Sequence, residues 1–153
     1  MEAPELIKVS STAFEDGQFL PAEFTCDGDG HPPPLTWDGV PTEAAALALV
    51  VDDPDAPRGT FVHWIVLDMP PETTGLDADS IPSGAVQATN SAGRSSYSPP
   101  CPPSGTHHYR FTVHALSQLT GLRDSAERET ALRAIGSTAT AQGRLVGTYA
   151  RSG

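Results

Sequence analysis

The sequence predicts a mainly β, single-domain protein with short helices near its C-terminus. Its 153 residues are enough for one domain, which we expect to span residues 1–153. Fourteen glycines and fifteen prolines are typical of short strands joined by many turns, and they exclude a coiled coil or a plain helical bundle. Three apolar segments that are rich in β-branched or aromatic residues supply the most secure strands.

The first secure strand is Ala44–Val51, an apolar run of eight residues that follows Pro41 and ends at an Asp-Pro step. The second is Phe61–Leu67, whose aromatic and β-branched residues indicate a strand covered on both faces. The third is Tyr109–Leu116. Shorter or looser patterns predict further strands at Leu6–Val9, Phe14–Thr25 and Leu145–Tyr149.

Helix is predicted only near the C-terminus. Asp124 is a candidate N-cap with Glu127 three residues later, and Gly136 is a candidate end. A second short helix is predicted over 137–143. Residues 69–105 are dense in Gly, Pro, Ser and Thr, and a connection this long is expected to be functional or packed by its own side chains.

Charge restricts the partners of the protein. The formal net charge is −10, so we expect neither nucleic acid nor an anionic membrane surface to bind. The charge is uneven, because residues 1–79 hold sixteen acids and two bases while residues 80–153 hold three acids and seven arginines. An anion site should therefore use the second half of the chain or strong local donors.

The location and the redox state of the cysteines are linked expectations. No apolar run approaches the roughly 20 residues of a membrane helix, so no membrane insertion is expected. The first five residues show no secretory leader pattern, which favours the cytoplasm. Two reduced thiols at Cys26 and Cys101 are therefore expected, with a bridge between them as the less favoured alternative.

Three segments concentrate reactive groups. Asp52, Asp53 and Asp55 follow the first secure strand directly, and carboxylates this close need compensating donors. His63 lies inside an apolar strand, where a hydrogen-bonded core histidine is the more common role. In the third strand, His107 and Tyr109 share one face by two-residue alternation.

Four motifs in this order resemble the phosphatidylethanolamine-binding protein family, also called Raf kinase inhibitor-like proteins. They are Asp53-Pro-Asp-Ala-Pro57, His63-Trp64, Cys101-Pro-Pro-Ser-Gly-Thr-His107-His-Tyr109 and Leu145-Val-Gly-Thr-Tyr149. The resemblance runs from about Phe19 to Arg151. The short chain and its ending are similar to the bacterial and archaeal branch.

The resemblance implies a large central antiparallel sheet packed on a smaller sheet, with peripheral helices. It also implies a small pocket for phosphate-like anions such as phosphoethanolamine, and no cofactor. The ligand-binding residues carried over by position are Asp53, Asp55, Pro57, His63, Cys101, His107 and Tyr109. Asp55 is the least secure contact. The chain departs from the family pattern at Ser98-Pro99 and at His31, which bears on the mouth of the pocket.

The resemblance further implies a non-enzymatic modulator of a kinase or another signalling protein, with the 69–105 segment as the variable contact. A homodimer is expected by analogy. Asp53 can accept a hydrogen bond from one imidazole nitrogen and favour its charged form, so phosphate should bind more tightly near about pH 6 than near about pH 8. The alternative is a metal-dependent hydrolase or oxygenase in which Asp53, His63 and His107 are the ligands. A thiol hydrolase based on Cys101 and His107 is disfavoured because no third orienting group is evident.

Overall fold

Two antiparallel sheets form the framework of the protein. The computed structural model describes residues 3–78 and 80–151, so both ends of the predicted domain 1–153 lie outside the described part. The larger sheet has five strands in the order β6 (Val86–Gln87), β4 (Phe61–Met69), β3 (Ala46–Asp53), β7 (Gly105–Leu116) and β8 (Ala139–Arg151). The smaller sheet has the order β1 (Lys8–Ser10), β2 (Leu35–Asp38) and β5 (Gly75–Leu76). The predicted mainly β class is confirmed.

The larger sheet is covered on both faces. Odd-numbered β3 residues such as Leu47 and Leu49 pack towards the smaller sheet, against Trp37 and Leu76. Even-numbered residues, including Ala46 and Ala48, join Ala131 and Ile135 of the helix α1 (Arg128–Thr138) in a second apolar cluster. This two-sided burial explains why β3 is a continuous apolar run, since alternation with polar residues appears only where one face meets water.

The predicted strand at Phe14–Thr25 is wrong. This segment contains a short 3-10 turn at Ala22–Phe24, and its preceding part lies along the outer edge of β8 as coil. Gly17 N donates to Val146 O, and Thr148 N donates to Gln18 O. The segment therefore bonds to the edge without regular strand pairing, and only Phe19 forms an isolated bridge, with Thr148.

Glycines on β8 let the N-terminal segment approach closely. A Cβ at Gly143 would overlap the Ile7 carbonyl, and one at Gly147 would lie 2.9 Å from the Phe14 ring. Gly147 belongs to the Leu-Val-Gly-Thr-Tyr motif, so the motif has a packing requirement of its own.

The C-terminal helix begins and ends later than predicted, and the predicted second helix is wrong. α1 begins at Arg128 with Glu127 as its N-cap, while Asp124 accepts a hydrogen bond from Gln87 N instead of capping the helix. Residues 139–143 are the start of β8, which pairs with β7 from Leu116↔Ala139 to Gly105↔Arg151. This long ladder outweighs the modest local preference for helix in 137–143. No helix in the described part is long and apolar enough to cross a membrane.

The expectation of two reduced thiols is also wrong. Cys26 and Cys101 form a disulfide that joins positions 75 residues apart, with Cα atoms separated by 5.4 Å. Arg151 Nη1 donates to Cys101 Sγ at 3.2 Å. The bond fastens the 3-10 turn region to the proline-rich segment that precedes β7.

We predict that the double variant Cys26→Ser/Cys101→Ser has a lower free energy of unfolding than the native protein. Loss of a link that closes a loop of this length should cost roughly 2–5 kcal/mol, because the unfolded chain gains conformational freedom. Urea unfolding with and without dithiothreitol measures the effect. The reductant should destabilise the native protein and leave the variant unchanged; equal stability of the two oxidised proteins would contradict the prediction.

Candidate functional site

Each of the three carboxylates at the end of β3 has its own partner on β7. Asp52 accepts two hydrogen bonds from Arg110, from Nε at 2.7 Å and from Nη2 at 2.8 Å. Asp53 Oδ2 lies 2.6 Å from His107 Nδ1. Asp55 Oδ2 accepts from the His108 backbone N–H and lies 2.7 Å from His108 Nδ1. The mutual repulsion expected from the sequence is thus offset by groups on the neighbouring strand.

Strand alternation divides these pairs between two faces. Asp52 pairs in register with Arg110, and both follow the even-numbered series on the α1 side. Asp53, His107 and Tyr109 continue the odd-numbered series on the side of the smaller sheet. Asp53 and His107 are 4% and 6% exposed, so their hydrogen bond is largely shielded from water.

A β-bulge brings His63 to the same place. The β3–β4 ladder pairs Val51 with Trp64 and Asp52 with Val62, which leaves His63 as the extra residue. A bulge re-aims the inserted side chain, and here the imidazole meets Tyr109 with ring centroids 5.5 Å apart. The bulge explains how a histidine in an apolar strand reaches the site.

His63 is held in one tautomer. Its Nδ1 lies 2.7 Å from Ser98 O, and because a carbonyl only accepts, Nδ1 must carry the proton. Burial lowers the pKa of His63, an effect that the nearby charge of Asp53 partly opposes. The neutral ring therefore has an unprotonated Nε2 as its remaining polar atom, and this atom gains a proton when the pH falls.

Tyr109 supplies a neutral donor. Its ring stacks on His107 with centroids 6.4 Å apart. Burial, with the charge of Asp53 added, raises the pKa of the phenol well above its usual range. In the described part of the chain no protein group hydrogen-bonds to the hydroxyl, which leaves it able to donate to a ligand.

These side chains line one cavity of about 280 Å³. Its remaining walls are mainly apolar or proline-rich, consisting of Ala56, Pro57, Phe61, Ala92, Ser98, Pro99, Cys101, Pro102 and Pro103. The volume is at the small end for ligand pockets, which suits a headgroup-sized ligand. Because Nδ1 is engaged in both histidines, the two Nε2 atoms and the Tyr109 hydroxyl are the groups that remain for a ligand.

The structure brings together six of the seven predicted site residues. Asp55 is the exception, because its carboxylate turns to His108 and the residue does not line the cavity. Pro99, one of the departures from the family pattern, forms part of the wall. His31 does not line the cavity. Its Nε2 lies 3.4 Å from Glu23 Oε2, and its ring is edge-on to the ring of Phe24.

Sequence reasoning missed the residue that organises the 90–98 segment. Asn90 is 1% exposed, and the two hydrogens of its Nδ2 are shared among three acceptors within hydrogen-bond distance, His63 O, Ser96 O and Ser98 Oγ. Its Oδ1 accepts from the backbone N–H groups of Ala92 and Arg94. Asn90 thereby places the Ser98 carbonyl against His63. An asparagine within a long Ser- and Gly-rich segment was the available signal.

The predicted metal ligands do not form a metal site. Across residues 3–78 and 80–151, no group of three or more His, Cys, Asp or Glu side chains is placed to hold a metal ion. Both oxygens of Asp53 face protein donors, Oδ2 at 2.6 Å from His107 Nδ1 and Oδ1 at 2.8 Å from Asp55 N. The metal-dependent alternative gains no support from this geometry.

Comparison with known proteins tests the resemblance directly. The sequence model described as phosphatidylethanolamine-binding protein matches residues 10–150. The chain belongs to this family. A UPF0098 protein from the archaeon Methanothermobacter thermautotrophicus is 42% identical over 150 residues, which are 95% of this chain and 99% of that protein. The candidate lipoprotein LppC of Mycobacterium tuberculosis is 45% identical over 149 residues, covering 96% and 74% of the two chains.

Solved structures of the phosphatidylethanolamine-binding protein family share the fold. A candidate family homologue from Chlamydia trachomatis superimposes with a TM-score of 0.89 and 36% identity, over 97% of this chain and 99% of that one. YbcL of E. coli, described as a member of the mammalian family, has a TM-score of 0.90 and 29% identity, over 96% and 99%. The predicted family and its two-sheet architecture are confirmed.

We predict that Asn90→Ala lowers the free energy of unfolding of the protein by roughly 2–4 kcal/mol, because buried carbonyl and N–H groups lose their hydrogen-bond partner. Urea unfolding measures the change. Ser95→Ala is the matched control in the same segment, since it removes only an exposed hydroxyl contact with Ser125, and it should change stability by less than about 0.5 kcal/mol. Equal stability of the two variants would contradict the role assigned to Asn90.

Proposed function

We propose that the protein binds a phosphate-type anion, such as the phosphoethanolamine headgroup, in the cavity formed by Asp53, His63, His107 and Tyr109. The observation that carries this proposal is the convergence of two oriented imidazoles and one phenol on a single small cavity. Each imidazole has its Nδ1 engaged by the protein, so each presents Nε2 to the ligand. An Nε2 that has taken up a proton is a charge-assisted donor, the kind of group that recognises oxygen-rich anions.

Asp53 supports an anion site despite its own negative charge. Its carboxylate accepts from His107 Nδ1 and from Asp55 N, so it faces protein donors through both oxygens. A carboxylate on one imidazole nitrogen fixes the orientation of the ring, so that the opposite nitrogen faces the ligand. Asp53 thus acts on the ligand through the orientation of His107.

Binding without catalysis is the simpler use of these groups. Cys101 is bonded to Cys26 and has no free thiol, which removes the nucleophile of a thiol hydrolase. The Tyr109 phenol has a raised pKa and stays protonated, so it serves as a hydrogen-bond donor and is a poor nucleophile.

Regulation of a kinase or another signalling protein stays a prediction based on family resemblance. In this proposal the partner docks at the cavity rim and at the irregular part of the 69–105 segment. A pull-down that compares the native protein with His107→Ala separates docking at the cavity from docking elsewhere.

We also infer that the protein works in an oxidising compartment, in place of the cytoplasm predicted from the sequence. The Cys26–Cys101 disulfide supports this inference, because such bonds are rare in reducing cytosol. The name of the mycobacterial relative LppC, a candidate lipoprotein, points the same way.

We predict that sulfate binds more tightly at about pH 6 than at about pH 8, by up to about tenfold, because His63 gains a proton at Nε2 as the pH falls towards its lowered pKa. Sulfate keeps its charge over this range, so the pH dependence reports on the protein. Isothermal titration calorimetry measures the affinity. His63→Gln should flatten the profile, whereas the matched control His31→Gln should preserve it. An affinity independent of pH in the native protein would overturn this account.

We predict that Tyr109→Phe weakens phosphate and phosphoethanolamine binding by about tenfold, because one hydrogen bond to a charged ligand is lost. Tyr149→Phe is the matched control. It removes a hydroxyl that donates to Asp27, outside the cavity, and should leave the affinity unchanged. Thermal unfolding checks that Tyr109→Phe stays folded, and unchanged binding by this variant would exclude the phenol from the site.

A further inference from the structure

A second cavity adjoins the first and, unlike it, is lined by arginine side chains. Its volume is about 400 Å³, and it shares Ala56, Pro57 and Phe61 with the cavity described above. Its other walls include Arg58, Ser91 and Arg128. The Phe61 ring, whose centroid lies 4.8 Å from that of His63, forms part of the boundary between the two spaces. The two cavities are therefore neighbours that share an apolar boundary.

The two arginines of this second cavity have no ion-pair partner among residues 3–78 and 80–151. Arg110 and Arg151, by contrast, contact Asp52 and Asp27. None of the residues that line the second cavity is acidic, although the chain carries a net charge of −10. Two guanidinium groups without an ion-pair partner concentrate positive charge at this cavity.

The acids closest in sequence to Arg128 belong to a separate cleft. Glu127 and Glu129 line that cleft together with Thr89 and Ser125. Arg128 lines both spaces, and neither glutamate carboxylate lies within 4.0 Å of its guanidinium, the range of an ion pair. The charge of Arg128 is thus available to a ligand in the second cavity.

Ser91 adds a neutral donor to this cavity. Its Oγ accepts a hydrogen bond from Val62 N at 2.8 Å, which fixes the position of the oxygen. In the described chain no acceptor takes the hydroxyl proton, so it can be donated to a ligand. Two guanidinium groups and an oriented hydroxyl are suited to phosphate or carboxylate oxygens.

We propose that the second cavity binds a further anionic group of the same ligand, so that the preferred ligand is a small phosphomonoester with a second phosphate or carboxylate. The first anion occupies the His63–His107–Tyr109 cavity, and the second lies between Arg58 and Arg128. This inference rests on the proposed function, because it assumes that the first cavity holds a phosphate. Such a ligand could be a free metabolite or a phospholipid headgroup, since both present the same chemistry.

The test compares bisphosphates of short α,ω-alkanediols with alkyl monophosphates of the same chain length, by calorimetry at low salt. The bisphosphate with the best-matched spacer should bind about tenfold more tightly than its monophosphate, more than the roughly twofold statistical advantage of two equivalent ends. Flotation with phosphatidylcholine vesicles that carry phosphatidylinositol 4-phosphate identifies the source: co-flotation supports a lipid headgroup, and its absence alongside bisphosphate binding supports a free metabolite.

The variant Arg58→Gln/Arg128→Gln should lower the bisphosphate advantage to about twofold while leaving monophosphate binding nearly unchanged. Arg133→Gln is the control, because it removes a positive charge from the exposed surface of the same helix without lining either cavity. If monophosphates bind and no bisphosphate binds better than about twofold, this inference fails while the proposed function stands. If neither series binds, both fail.

Discussion

The pairing of β3 with β7 is the constraint on which the site depends. This ladder runs from Ala46↔Leu116 to Asp52↔Arg110, and its odd-numbered residues on one face form the core against the smaller sheet. The same alternation carries Asp53 and His107 to the end of that core. A slip of one residue would exchange the faces of the strand, exposing Leu49 and Val51 to the α1 side and separating Asp53 from His107. The apolar core and the polar site therefore depend on one register.

In the binding that we propose, the two cavities use different physical means to attract anions. In the first, buried imidazoles and a phenol supply donors, and the charge of the site depends on proton uptake. Burial lowers the pKa of His63, so the free protein favours the neutral ring, and an anion that stabilises the charged ring opposes this effect. In the second, the guanidinium groups of Arg58 and Arg128 are charged at any physiological pH. A ligand that spans both cavities would contact one region whose positive charge depends on pH and one region whose positive charge is permanent.

Features that have a local sequence signal were predicted well, whereas features that depend on contacts between distant parts of the chain were not. β3, β4 and β7 were predictable because their apolar runs are local signals of strands buried on both faces. Most of the site was predictable from motifs whose spacing resembles a known family. The coil at Phe14–Thr25, the conversion of 139–143 to strand and the disulfide depend on partners far away in sequence. The role of Asn90 combines one distant partner, His63, with four partners inside its own segment. Asp55 does not line the cavity because its carboxylate contacts His108, which alternates with His107 along β7. This placement becomes clear only once both strands are aligned.

The N-terminal coil along β8 has a consequence for assembly. A thirteen-residue strand at the margin of a sheet offers a row of unpaired backbone groups to which another chain could add. Here Gly17 and Leu20 donate to carbonyls of β8, and residues Pro4 and Ile7 bond to its earlier part. Glycines 143 and 147 admit this cover at van der Waals distance. Addition of another strand along the covered part of β8 is thereby blocked.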